Sequence, residues 1–170
     1  MATYVKIASV TVGSGGASSI DFTSIPATYT DLLVKVTTRD TAVTANTGAV
    51  KVTVNASATT YTNRNITSSG SAAASSSAVT TYIDAGLGST MPTSGNTAST
   101  FSNIEIYIPN YAGSTNKSFS VDAVGENNAT AAYAGLVAGL WSTTSVITAI
   151  SIAATTLFSQ YSSATLYGIK

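Results

Sequence analysis

The sequence contains no cysteine and no histidine among its 170 residues, and only 3 prolines and 1 tryptophan. The first two absences exclude a large share of known enzyme chemistry. Without them there is no Ser-His-Asp triad, no Cys-His pair, no disulfide, and almost none of the ligand sets that hold zinc or haem. No GxxxxGK[ST] loop is present to cradle phosphates, and no GxGxxG opens a helix. Charge is equally scarce: 7 basic and 7 acidic side chains make up 8% of the chain and cancel to zero, against about 25% in an ordinary soluble domain. The basic residues Lys6, Lys35, Arg39, Lys51, Arg64, Lys117 and Lys170 are scattered and form no run, so no nucleic-acid partner is expected. The longest apolar stretch, Ala134 to Trp141, is far short of the roughly 20 residues of a membrane span, and no membrane partner is expected either. The opening Met-Ala-Thr-Tyr-Val-Lys lacks the basic region and apolar core of a signal peptide. The expectation is a chain made and used without Sec-type secretion.

Hydroxyls occupy the space that charge leaves. There are 25 serines and 29 threonines, close to a third of the residues. Threonine favours strands, and a neutral surface of hydroxyls and small apolar groups favours association over free existence as a monomer. A chain of this length buries roughly 70% of its unfolded surface and needs neither disulfide nor metal to fold. One domain spanning 1–170 is expected.

The apolar pattern has period two, the mark of strands with one buried face. Val50, Val52 and Val54 alternate with Lys51, Thr53 and Asn55. Ile104, Ile106 and Ile108 alternate with Asn103, Glu105 and Tyr107, and Phe119, Val121 and Ala123 with Ser118, Ser120 and Asp122. Leu32, Val34 and Val36 oppose Leu33, Lys35 and Thr37. A slip of one residue would turn each set outward, so register is well specified. Turn signals fall at Gly13–Gly16, Ile25-Pro26, Asn46-Thr47-Gly48, Gly86-Leu87-Gly88, Pro109-Asn110 and Gly113–Asn116. The expected strands are 2–12, 18–23, 29–38, 49–55, 60–66, 79–84, 101–108, 117–125, 132–141, 145–153 and 161–169. This predicts an all-β fold, an antiparallel two-sheet sandwich of about ten strands, jelly-roll-like in type. Trp141 and Phe158 are the largest core candidates, and Trp141–Val146 reads as a hairpin between two apolar strands. The low-complexity run at about 67–78, rich in Ser and Ala, carries no strand pattern and reads as a loop.

Carboxylates are the only catalytic groups left: Asp21, Asp31, Asp40, Asp84, Glu105, Asp122 and Glu126. Glycosidases on sandwich folds need two of them across a cleft, about 5 to 10 Å apart. Glu105 and Asp122 lie on the polar sides of strands that could pair. Solvent-facing charge on a sheet is the simpler reading, and no catalytic residue is expected. Asp122–Asn128 gathers oxygen ligands around a turn but lacks the spacing of a calcium loop. Asp, Asn and Gly are what any tight turn uses, so neither metal nor cofactor is expected. Nine tyrosines remain. Tyr29, Tyr61, Tyr107 and Tyr111 are candidates for exposed contact residues, because tyrosine adds contact area at low entropic cost. Cross-strand packing would account for them equally. The sequons Asn65-Ile66-Thr67 and Asn128-Ala129-Thr130 are expected by chance in so Asn- and Thr-rich a chain.

Three stretches carry a resemblance. Ser19-Ile20-Asp21-Phe22-Thr23-Ser24-Ile25-Pro26-Ala27-Thr28-Tyr29-Thr30-Asp31-Leu32-Leu33, Phe101–Gly113, which contains Ile108-Pro109-Asn110-Tyr111, and the ending Ala164-Thr165-Leu166-Tyr167-Gly168-Ile169-Lys170 resemble segments of small virion proteins of tailed bacteriophages, notably those of cyanobacteria and marine bacteria. The resemblance spans most of the chain outside residues 40–100 and includes no catalytic motif. It implies a virion protein assembled in the host cytoplasm: a capsid decoration (cement) protein, homotrimeric, bound to the major capsid protein or another virion protein. The alternative it implies is a tail or head fibre domain that recognises host surface glycans.

Overall fold

The computed structural model describes residues 2–44, 48–59, 61–86, 90–128 and 132–170. The turn signals at Asn46-Thr47 and Leu87-Gly88, and the last two residues of the Asn128-Ala129-Thr130 sequon, lie outside them. Among the described residues there are twelve strands and no helix. In chain order the strands are β1 (Tyr4–Thr11), β2 (Ala17–Phe22), β3 (Asp31–Thr38), β4 (Val50–Val54), β5 (Tyr61–Ser68) and β6 (Ala73–Thr80). The remainder are β7 (Ile83–Asp84), β8 (Ser102–Ile108), β9 (Lys117–Gly125), β10 (Tyr133–Trp141), β11 (Ile150–Phe158) and β12 (Ser163–Ile169).

They form two antiparallel sheets. One has eight strands in the order β1-β12-β3-β8-β9-β10-β5-β6, the other four in the order β2-β11-β4-β7. Alternation in the sequence becomes alternation of burial, complete in β9, where each odd-numbered residue from Lys117 to Gly125 is buried and each even-numbered one exposed. The core lies between the sheets. Leu32, Val34, Ile104, Ile106, Val121 and Leu166 come from the larger sheet, and Ile20, Val50, Val52, Val54, Ile150 and Ile152 from the smaller. Trp141 and Phe158 both join this core, as expected. Each such side chain contributes about 1.5–3 kcal/mol on burial.

Three sequence expectations are corrected. Twelve strands replace about ten, and the chief addition falls in the run taken for a loop. Residues 61–68 and 73–80 are the two arms of a hairpin, paired in unbroken register from Tyr61↔Thr80 to Ser68↔Ala73. Ser69 N–H donates to Ala72 O across the turn, at 3.1 Å. The run Ala73–Thr80 lacks an apolar alternation because neither of its faces packs on the core. Backbone pairing with β5 makes it a strand. Second, the hairpin expected after Trp141 does not form. β10 pairs with β9 and β5 in the larger sheet, while β11 pairs with β2 and β4 in the smaller. Residues 142–149 therefore cross between the sheets, and a distant side chain holds them. Asn55 Oδ1 accepts the N–H groups of Thr148 and Ala149 at 2.8 and 3.0 Å, and its Nδ2 donates to Val146 O at 2.7 Å. The third correction concerns two of the tyrosines and belongs with the surface below.

Candidate interaction surface

Of the four tyrosines proposed as contact residues, Tyr61 and Tyr111 have no accessible surface at all. Each is an anchor. Tyr61 stacks beside Trp141, ring centroids 6.3 Å apart, and its hydroxyl accepts the Val54 N–H at 3.1 Å. The Tyr111 hydroxyl donates to Pro26 O and accepts from Tyr29 N–H. Burial raises the pKa of both phenols above the ordinary value. Their polar tips explain why pattern alone did not place them inside: each hydroxyl has a backbone partner, Val54 for Tyr61 and the distant Pro26 for Tyr111. Tyr29 and Tyr107 are half-buried. Tyr4 and Tyr161, at 59% and 68% exposed, are the tyrosines that stand out from the surface.

The three stretches that carry the phage resemblance meet at one place. Asp31 Oδ2 accepts the Tyr107 hydroxyl at 2.7 Å and its Oδ1 the Asn110 N–H at 2.9 Å. The Tyr29 ring lies flat on Gly168, where an added Cβ would come within 2.3 Å of Tyr29 Cγ. Lys170 Nζ sits 5.5 Å from the centre of the same ring. These residues tie β3, β8 and β12 together at one end of the larger sheet. Their part here is structural.

Glu105 and Asp122 do become neighbours: β8 and β9 pair with the two carboxyl-bearing residues directly opposite. They stand on the outer face of the sheet, and Glu105 forms an ion pair with Lys35 of β3. In the Asp122–Asn128 stretch, Glu126 Oε1 accepts the Asn128 N–H at 2.6 Å and Asn128 has φ of 54°, which is turn chemistry. Among the described residues no three acidic groups converge on a point where an ion could sit.

The feature that the sequence did not announce is the outer face and free margin of the β9-β10-β5-β6 half. Its aligned outward positions include Asp122, Leu136, Ile66 and Ser75 in one row, and Ser120, Ala138, Arg64 and Ser77 in the next. Ile66, Leu136, Val124 and Val79 are 62%, 55%, 42% and 68% exposed. A shallow depression of about 560 Å³ lies over Ile66, Leu136, Ala138 and Ser75. The signal for this face was present in β10, where Ala134, Leu136, Ala138 and Leu140 are apolar on the side away from the core.

Beyond it lies β6. Seven of its eight residues, Ala73 to Val79, are exposed, on both faces alike. It has β5 for a neighbour on one side and, among the described residues, no strand on the other. Every second residue of an antiparallel edge strand points its N–H and C=O outward, so this margin offers a ladder of unused backbone donors and acceptors. Fold and surface together define an all-β, two-sheet protein with an apolar face running out to an open edge. No protein-family model, curated protein or solved structure matches the chain.

Proposed function

We propose that the chain is a non-enzymatic structural protein of a tailed-phage virion, a capsid decoration or cement protein that binds copies of itself and the head shell. The strand order supports a jelly-roll assignment. Eight strands pair as β1-β12-β3-β8 against β2-β11-β4-β7, the wound arrangement of a jelly roll, a type that serves capsid and lectin domains. On this reading β9, β10, β5 and β6 are an extension of one sheet beyond the eight-stranded roll.

The observation that carries the reading is the contrast among the four sheet margins. β1 bears Lys6 and a register shift between Lys6 and Ala8. β2 bears exposed Asp21, and β7 is two residues long. Charge, irregularity and shortness are the usual means of preventing unwanted strand addition. β6 is eight residues long and has no charge, no proline and no bulge. A margin left unguarded beside an exposed aliphatic face suits a protein whose surface is covered in its assembly. Weak contacts of this kind hold a shell through repetition.

Cryo-electron microscopy of the intact particle tests the proposal. Density for the chain repeated over the head lattice is expected, with particles that burst more readily when it is missing. Density confined to the tail tip, together with binding on a glycan array, would replace the proposal with a receptor-binding fibre domain.

A further inference from the structure

The open edge strand has a residue order that nearly reads the same in both directions. About Ser76, the sequence of β6 runs Ala73-Ala74-Ser75-Ser76-Ser77-Ala78-Val79. If a second β6 lay antiparallel to it with Ser76 opposite Ser76, Ser75 would face Ser77, Ala74 would face Ala78, and Ala73 would face Val79. Alanine meets alanine and hydroxyl meets hydroxyl, only the end pair of Ala73 with Val79 is unequal in size, and no charge is brought opposite another. Building on the proposed self-contact role, we infer that the natural occupant of this edge is a second copy of the chain, joined β6 to β6 about a two-fold axis through Ser76.

Three further observations agree with this arrangement. A two-fold contact requires that residue i touch j while j touches i, and the near-palindrome meets that condition along the whole exposed part of the strand. The parity also holds: Ala73, Ser75, Ser77 and Val79 share one face, and Ala74, Ser76 and Ala78 the other, so the pairing keeps the outer faces of both copies on one side. The two eight-stranded sheets would then run on as one. The row that ends in Leu140, Thr62 and Val79 would continue into Ala73, Ser68, Ala134 and Val124 of the second copy, since these positions are aligned within each chain. Val79 at the edge of one copy thereby joins the same row as Val124 of the other, while the row of Leu136 and Ile66 runs through Ser75 into Ser77, Arg64 and Ala138 of the second copy. Arg64, the charged residue nearest the edge, stands on β5 opposite Ser77 with its Nη1 donating to Asn63 O at 3.1 Å. The two-fold keeps the two Arg64 side chains roughly 16 Å apart, three strand spacings across and one two-residue step along.

A contact of this symmetry makes a dimer, whereas the resemblance implied a trimer, so oligomeric mass separates the two. The test uses the full chain in three variants at one exposed residue. Ser76→Lys and Ser76→Asp each place like charges directly opposite across the two-fold, so each alone is expected to lose the dimer in analytical ultracentrifugation. Mixed in equal amounts, they are expected to recover it as a heterodimer. Ser76→Cys introduces the single thiol of the chain, and mild oxidation is expected to link it to its own copy across the axis. Circular dichroism, expected to match the wild type, confirms that each variant is folded; the thermal midpoint of the dissociated variants is expected to fall, since the dimer stabilises the folded chain. A wild-type monomer, a trimer, a dimer indifferent to Ser76→Lys, or a failure of the Lys and Asp variants to associate with each other overturns the inference. None of these outcomes bears on where the chain sits in the particle, so the proposed function is tested separately by imaging.

Discussion

A lysine ammonium with no accessible surface must find its acceptors inside the protein. Lys117, the first residue of β9, is fully buried, and its Nζ donates to the carbonyls of Gly113 at 2.7 Å and Thr144 at 3.4 Å, and to that of Thr115. Thr144 belongs to the segment that crosses between the sheets, so one side chain gathers two loops. Arg39 does the same elsewhere: Nη1 donates to the carbonyls of Thr97 and Thr100 at 2.9 Å each, and Nη2 to Asn96 O at 3.2 Å. In the sequence both were only two of seven scattered basic residues. The Lys117→Met substitution keeps the stem and removes the donor, leaving buried carbonyls unpaired. The expected loss is about 2 kcal/mol, read as a fall of about 4–8 °C in thermal midpoint. An unchanged midpoint would mean that water replaces the ammonium, and the cage would then have no bearing on stability.

At the scale of the strand, burial on one face and exposure on the other have separate consequences, and β10 displays both. Val137 and Trp141 point into the core, while Leu136 and Ala138 point away. Replacing Ile66 and Leu136 together by serine removes the centre of the exposed face without opening a cavity, because both are more than half exposed, at 62% and 55%. Stability should change by no more than about 0.5 kcal/mol per site, while binding of a hydrophobic dye and self-association should both decrease. A large loss of stability would show that these side chains are covered within the single chain and would remove the aliphatic face from the account. The same strands mark how far sequence reading reached. β8 and β9 were legible because each packs one face on a core, which forces alternation. β6 was not, since a strand open on both faces is under no such pressure and takes its conformation from β5. The crossing after Trp141 was invisible for a different reason: its anchor, Asn55, is about ninety residues away in sequence. Neutrality and hydroxyl content led to an expectation of association without locating a surface for it, and the proposed surface lies elsewhere than the sequence candidates. Of the residues put forward for it, Tyr61 and Tyr111 went to the core, while Ile66 and Leu136, which were not put forward, lie at its centre.

Over the whole molecule, the titrating groups that folding perturbs lie on the alkaline side. Tyr61 and Tyr111 are raised above 10.0, chiefly by burial, and Tyr107 is raised chiefly by its hydrogen bond to Asp31. Lys117 is lowered from 10.5 by burial, and Arg39 is lowered from the usual guanidinium value by the same cause. The two kinds of shift act in opposite senses. Between its folded value and 10.5, Lys117 releases a proton that the unfolded chain still holds, so stability rises with pH there. A raised tyrosine keeps its proton in the folded state after the unfolded chain has released it, so its contribution is complete below about pH 10 and is lost as pH rises through the folded values. Above about pH 10.5 the lysine contribution no longer changes, and three tyrosines remain to set the slope. Arg39 opposes them only where its own ionisation begins, from the higher starting value. Stability measured by denaturant unfolding is therefore expected to hold or rise slightly towards pH 10 and then to decline steeply. The share of tyrosinate absorbance due to Tyr61, Tyr107 and Tyr111 should lag in the native protein, and that of the two buried anchors should appear together with loss of the β-sheet circular dichroism signal. Tyr107→Phe should make the decline shallower at little cost to the fold, because that ring is half-buried and its hydroxyl bridges to Asp31 from the surface. If all nine tyrosines ionised in one step near pH 10 with the sheets intact, the buried anchoring of Tyr61 and Tyr111 would be wrong, and with it the packing of the two sheets around them.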